Sequence, residues 1–300
     1  MVVIESSNRH AEASRKALAS FKELAANLDG WNFSQEKEGV KLYTKSTGGP
    51  ISIVRGDTVL KTGDKYTPRE VATVATQPGC RKIWDEKFDS SEVKEMFTHL
   101  ESIFWVKLKA PWPVSPRDFT GVALRDFDDD ECYVSMSSVE DPAVPPVSGC
   151  VRGNLIISGW KVFKTDGGIG ITYITQVDMA GSIPSSFLKS IQLQVPLCAG
   201  KVANYVSSYG FPPATLTADN VTYKKESFDH AKREFVAQVE GKEGDNQVKW
   251  LISGQMFPNG VKVTLDGTAS HEIVDADAPG RKYVVVSGLQ GLVTVKINKA

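Results

Sequence analysis

The sequence predicts an α+β protein: a curved antiparallel sheet gripping a long C-terminal helix, followed by a small all-β sandwich. Three observations predict it. Apolar residues recur at helical spacing over 7–28 and again over 184–209, and nearly everything between residues 92 and 177 reads as strand and turn. After Pro213 the pattern changes to short strands with turn signals between them. This change divides the chain into residues 1–213 and 214–300.

In the first helix Leu18, Phe21, Ala25 and Leu28 mark the apolar stripe, and Asp29-Gly30 stops it. Trp31 to Leu60 is strand-like, broken by Glu38-Gly39 and by Thr47-Gly48-Gly49-Pro50. Thr67 as N-cap with Pro68 at the first helical position opens a helix. Phe104, Val106 and Leu108 alternate with Trp105, Lys107 and Lys109, giving one apolar and one mostly polar face. LIISGWKVF (155–163) and IGITYITQV (169–177) are two further strands joined through Thr165–Gly168. The long helix from about Pro184 to Tyr209 ends at Gly210 and contains Pro196, which removes one backbone hydrogen bond. Beyond Pro213, seven strand segments run from VTYKKESF to LVTVKIN, and Asn259-Gly260 is the strongest hairpin signal in the chain.

Bulk properties exclude whole classes. Of 300 residues 41% are hydrophobic and 24% charged, enough to bury a core, and the net charge of -1 leaves no excess of cations for a nucleic-acid backbone. The N-terminus turns charged after four residues, and no run approaches the roughly 18–20 apolar residues that span a bilayer, so the expectation is a soluble, cytoplasmic protein. Cys80, Cys132, Cys150 and Cys198 are scattered and are expected to be reduced thiols. His10, His99, His230 and His271 show no metal-ligand spacing, and no GxSxG elbow is present. The expectation is no metal, no cofactor and no enzyme.

A curved sheet with one helix in its grip leaves space unless side chains or a ligand fill it. On the strand after Pro116, period two puts Arg117, Phe119, Gly121 and Ala123 on one face. Gly121 and Ala123 either leave room there or let a neighbouring element pack closely. Arg81 and Asp85, four apart, can pair on a helical turn, buried or at the surface.

Four segments then carry a resemblance: CRKIWDEKF (80–88), KAPWPVSPRDF (109–119), GCVRG (149–153) and QVDMAGSIPSSFLKSIQLQVPLCAGKVANYV (176–206). In this order and spacing, across about residues 20–212, the chain resembles START domains, most of all the branch with phosphatidylcholine-transfer and ceramide-transfer proteins. The resemblance implies a helix-grip fold, one lipid in an internal tunnel, no chemistry on that lipid, and a C-terminal helix acting as lid. It implies that the Arg81–Asp85 pair is buried and that Arg81 meets a lipid phosphate, a group its fork of donors suits.

The positions of that branch's choline cage hold Val106, Phe119 and Ile156, which is one aromatic where three would enclose an ammonium. The acidic and basic tunnel positions of the sterol carriers hold Phe104 and Ala123. The lipid-contacting set expected is therefore Arg81, Trp84, Asp85, Phe104, Val106 and Leu108, together with Phe119, Gly121, Ala123, Ile156, Phe187 and Ile191. Trp112, between two prolines, is implied to be an exposed membrane contact at the tunnel mouth; the alternative is an indole packed under its own loop. The expected partners are a phospholipid or sterol-like ligand and a transient membrane surface, with residues 214–300 open to a protein partner. An enzyme acting in the same cavity, or a lipid-sensing adaptor, are the alternatives to a carrier.

Overall fold

The computed structural model describes residues 7–110, 112, 114–181, 183 and 194–300. Its first sheet has ten strands: β1 (Asn32–Lys37), β2 (Val40–Lys45), β3 (Ile53–Leu60), β4 (Phe88–Met96), β5 (Glu101–Leu108), β6 (Arg117–Phe127), β7 (Glu131–Ser137), β8 (Val151–Arg152), β9 (Asn154–Thr165) and β10 (Gly168–Asp178). The order is β1-β2-β3-β10-β9-β7-β6-β5-β4, all antiparallel, with β8 added parallel to β6. Alternation explains its two faces. Tyr133 and Ile157 point outward and bury Phe21 and Ala25 of helix α1 (Ala11–Ala26), while their neighbours Val134 and Ser158 point inward. Helix α1 ends before Leu28, which is exposed, so the apolar stripe read from the sequence overran the helix by one residue of its pattern.

Three helices sit against the inner side of the first sheet: α2 (Pro68–Thr76), α3 (Pro78–Trp84) and α4 (Cys198–Tyr209). Thr67 caps α2 as a full capping box. Its hydroxyl accepts from the Glu70 N–H, while the Glu70 carboxylate accepts from the Thr67 N–H at 2.9 Å. Pro196 lies in a single tight turn, Val195–Leu197, immediately before α4. The turn fits there because β3 carries Gly56 opposite it: a Cβ at Gly56 would stand 2.3 Å from the Pro196 carbonyl oxygen. Residues 184–193, the first part of the expected lid helix, lie outside the described residues, and so do Phe187 and Ile191.

The second sheet holds β11 (Ala214–Asp219), β12 (Val221–Asp229), β13 (Glu234–Gly241), β14 (Gln247–Ser253), β15 (Val261–Asp275) and β16 (Arg281–Lys299). Its layout corrects two readings. The sequence segments VKVTLDG and SHEIV form one strand, β15, and KYVVVSG and LVTVKIN form another, β16. Gly267, Gly288 and Gly291, all with positive φ, bend these strands instead of ending them. One half of β16 therefore pairs with β14 and the other with β13, while β15 runs along its opposite edge. Asn259-Gly260 does form a turn, but β14 and β15 on either side of it do not pair with each other. A turn signal is local, whereas pairing is decided by which strands share an apolar face.

The two sheets are not joined by a loose tether. Gly210 to Ala214 is buried throughout, and a single apolar cluster runs from Val40 of β2 to Ile297 of β16. Gly79 of α3 meets β12 so closely that a Cβ would lie 1.7 Å from the Phe228 carbonyl oxygen. Polar contacts reinforce the join. Arg281 of β16 donates to Glu70 of α2 (Nη2 to Oε2, 2.9 Å), Arg69 to the Leu216 carbonyl (2.9 Å), and Tyr66 to Gln255 (2.6 Å).

Candidate functional site

Between the inner face of the first sheet and the helices lies a cavity of about 1010 Å³, at the upper end of the roughly 300–1000 Å³ of small-molecule sites. Phe88, Val106 and Phe119 form a buried apolar cluster on its wall, with Phe104, Leu108, Leu155, Val177 and Met179 against them. Trp84 packs edge-on to Trp160 with ring centroids 6.2 Å apart, and Trp160 stacks on Tyr173 at 4.3 Å. The wall is thus apolar and aromatic over its larger part, with charged residues such as Arg81, Asp85, Lys87, Arg117 and Arg125 set into the rest.

One polar group is the pair foreseen on α3. Arg81 donates from Nε to Oδ2 of Asp85 at 2.9 Å, and the other Asp85 oxygen accepts from the Lys87 N–H at 3.1 Å. Asp85 is buried and Arg81 half-buried, with its guanidinium carbon 5.2 Å from the ring centre of Phe88. The pair is therefore not packed on both sides: Trp84 beneath it is buried, but Ile83 is exposed. Among the described residues Arg81 donates only through Nε, to Asp85, so both its Nη groups are open to other acceptors. Close by, burial pushes the Cys198 thiol up to about 12 and the Tyr173 hydroxyl above its ordinary value, and it lowers Lys87.

Of the twelve residues expected to touch ligand, Arg81, Trp84, Asp85, Phe104, Val106, Leu108, Phe119 and Ala123 line this cavity. Two others do not. Ile156 is exposed on the outer face, because a bulge between β9 and β10 skips it: Gln176 pairs with Ile157 and Val177 with Leu155. The extra residue hands the inward position to Leu155. Gly121 is not on the wall either; a Cβ there would stand 2.2 Å from the Ser137 carbonyl oxygen, so the small residue serves close packing. Arg117 and Asp118 do not pair with each other. Arg117 donates to the carbonyls of Ser115, Met179 and Ala180, while Asp118 accepts from Arg152 (2.8 Å) and the Trp105 indole (2.9 Å). Trp112 is 93% exposed, which rules out the packed alternative.

Sequence reasoning stopped one step short on β6. The inward series Arg117, Phe119, Gly121, Ala123 continues by period two to Arg125, which also lines the cavity. The signal was present; a cation on an apolar face was simply not carried forward. The backbone N–H of Arg125 donates to the Leu100 carbonyl (3.0 Å), but its guanidinium has no hydrogen bond among the described residues, and its Nη1 is sealed from solvent. The Trp84 Nε1 and the Ser91 hydroxyl, both on the same wall, are likewise buried without a protein partner. Among the described residues no cluster has the makings of a metal site, and no helix is long and apolar enough to cross a membrane.

Comparison with known proteins agrees with this architecture. Residues 12–201 match the family model of the START domain. Mouse StAR-related lipid transfer protein 5 is 28% identical over 173 residues, 55% of this chain and 79% of that protein. Rat acetyl-coenzyme A thioesterase is 25% identical over 190 residues, 60% of this chain but only 33% of the enzyme. Human StAR-related lipid transfer protein 5 superposes with a TM-score of 0.59 at 21% identity, over 66% of this chain and 96% of that one. Human STARD10 gives 0.58 at 21% identity, over 64% and 79%. These two likenesses concern the helix-grip fold. The second sheet lies beyond the residues that match the family model.

Proposed function

The chain belongs to the START domain family, and from that premise we propose that it is a carrier that holds one amphipathic lipid in the cavity and moves it between membranes. The observation that carries this reading is the cavity itself: about 1010 Å³ with a wall more apolar and aromatic than polar. Apolar surface of this kind is stabilised by an apolar occupant at roughly 25 cal/mol per Å² removed from water. The free Nη groups of Arg81 give a lipid headgroup two donors in the geometry that fits phosphate or carboxylate. Trp112 supplies the membrane contact, since an indole prefers the boundary where its ring is apolar and its N–H stays wet.

A thioester-cleaving activity, suggested by the thioesterase relative, has less support. It needs a thiolate or a base-activated water as nucleophile, and the thiolate route is closed, since Cys198, the one thiol on the described wall, is pushed up to about 12.

Native mass spectrometry of the purified protein, followed by lipid extraction, tests the carrier reading. One lipid per chain is expected, and a preparation that takes up none from vesicles or extracts overturns it. For delivery, Trp112→Ala is expected to slow transfer between vesicles severalfold while changing stability by less than about 0.5 kcal/mol, as for other exposed side chains. A large fall in melting temperature with unaltered transfer would instead make Trp112 a packing residue.

A further inference from the structure

The carrier reading leaves a buried, unpartnered guanidinium on the cavity wall unexplained. Arg125 sits on β6 in a transverse row of the sheet: it lies opposite Val134, Val134 opposite Trp160, and Trp160 opposite Tyr173. Three strand spacings, roughly 14 Å, separate Arg125 from Tyr173. The surroundings of the two guanidinium groups differ accordingly. Arg81 lies among Asp85, Cys198 and Tyr173, whereas Arg125 lies among His99, Tyr223 and Glu226. They are two separate polar stations.

At the second station the protein does not complete the pairing. Glu226, itself raised by burial, lies close enough to favour the Arg125 charge, and Tyr223, held well above its ordinary value by burial, is a neutral phenol; no carboxylate among the described residues comes within salt-bridge distance of Arg125. Glu226 is itself engaged by Tyr223 (3.2 Å) and Gln77 (3.5 Å). A buried guanidinium without an acceptor is costly to keep. A lipid anchored by its head at Arg81 would lay hydrocarbon against Arg125 and leave that cost in place.

We propose that Arg125 is a specificity-determining contact of the cavity, and that the bound lipid is a long-chain carboxylic acid whose carboxylate accepts from the Arg125 guanidinium. The inference rests on the carrier reading and narrows it. A single negative charge suits one cation with an acidic neighbour at its back; a phosphate monoester, which carries up to two charges, would meet more repulsion from Glu226 than a carboxylate does. Arg81 and the Trp84 indole are left for a further oxygen that the lipid bears. Guanidinium-to-carboxylate pairing in a dry site discriminates sharply, because the matching ester or alcohol leaves the charge unpaired.

The test uses the full chain and three probes: oleate, methyl oleate and 1-oleoyl lysophosphatidate. The protein is expected to bind oleate at least tenfold more tightly than methyl oleate. Arg125→Leu should weaken oleate tenfold or more while leaving methyl oleate unchanged or improved, and Arg125→Lys, which keeps the charge, should retain most of the preference. If Arg125→Leu fails to fold, as its melting curve would show, the Arg125→Lys profile and the ester preference of the unmodified protein still decide. Equal affinity for oleate and methyl oleate overturns the proposal, as does a parallel loss of both in Arg125→Leu. A preference for lysophosphatidate over oleate replaces the carboxylate by a phosphate and overturns it as well. A protein that binds none of the three yet extracts phospholipid or sterol from vesicles refutes the carboxylate site alone; one that takes up no lipid refutes the carrier reading with it.

Discussion

Inside the second sheet Trp250, Phe235, Val239, Val284 and Ile297 are completely buried against one another, whereas the inner face of the first sheet closes around a cavity and keeps Arg81, Arg125 and Ser91 on its wall. The same β-rich composition has been put to two uses. Dense packing of large apolar side chains gives the second sheet its stability. The first sheet forgoes part of that packing, and it borrows support through α2 and α3, whose far sides are covered by the second. The comparison teaches that residues 214–300 need no site of their own to matter: they are a filled buttress behind a hollow shell.

Cutting the join should have the largest effect. Arg281 and Glu70 have side chains 10% and 1% exposed, and removing one partner from such a pair strands the other charge. Arg281→Ala is expected to cost about 3–5 kcal/mol, read as a fall in the urea midpoint. A loss below 1 kcal/mol would mean that the sheets are held together by apolar contact alone.

A pair of matched enlargements sharpens the contrast between hollow and full. Ala237 of β13 is wholly buried in the second sheet, and Ala237→Leu should cost about 1–3 kcal/mol by overpacking. Ala123 faces the cavity, where a larger side chain has room, so Ala123→Leu should cost less than about 0.5 kcal/mol while displacing bound lipid. Equal destabilisation by both would contradict the hollow interior.

The third test concerns pH. His99, in the turn between β4 and β5, faces Tyr223 of β12, and His230, in the turn after β12, bonds Tyr205 of α4 at 2.6 Å. Burial, aided by Arg125 for His99 and by Arg233 for His230, lowers both to about 4. Folded, both rings are neutral across the physiological range; unfolded, they take up protons below about 6.5. The unfolded state therefore binds more protons between about pH 6.5 and 4, and the stability these rings contribute is intact above 6.5 and lost as pH falls through that window. Urea midpoints measured from pH 7.5 to 4.5 should show the decline, and His99→Gln should flatten part of it. A curve flat over this range would show that the junction does not titrate.

What was legible in the sequence was whatever depends on neighbours in the chain. The Thr67 cap, the inward alternation of Phe104, Val106 and Leu108, and the pairing of Arg81 with Asp85 are all local, and each stands where it was expected. Ile156 failed because one bulged residue reverses every later side chain, and a bulge leaves no mark in composition. Gly121 failed because sequence shows that a residue is small but not what approaches it. β11 was missed altogether: ATLTAD is short and carries mixed polarity, and only its pairing with β14 makes it a strand. The fusion of the two cores was invisible for a similar reason, since the apolar residues of α2 and β12 look alike whether they face their own sheet or the other.

The position of β16 has a consequence for the order of assembly. β13, β14 and β15 all pair with it, and it follows all three in the chain. Until it is made, β13, β14 and β15 lack the partner they share, and Glu70 of α2 lacks Arg281. The contacts that β16 makes with α2 join residues as far apart as Glu70 and Arg281, a separation that slows folding because a long loop must close before any reward is gained. The hollow shell is thus the earlier part of the chain to be synthesised and the later part to be secured.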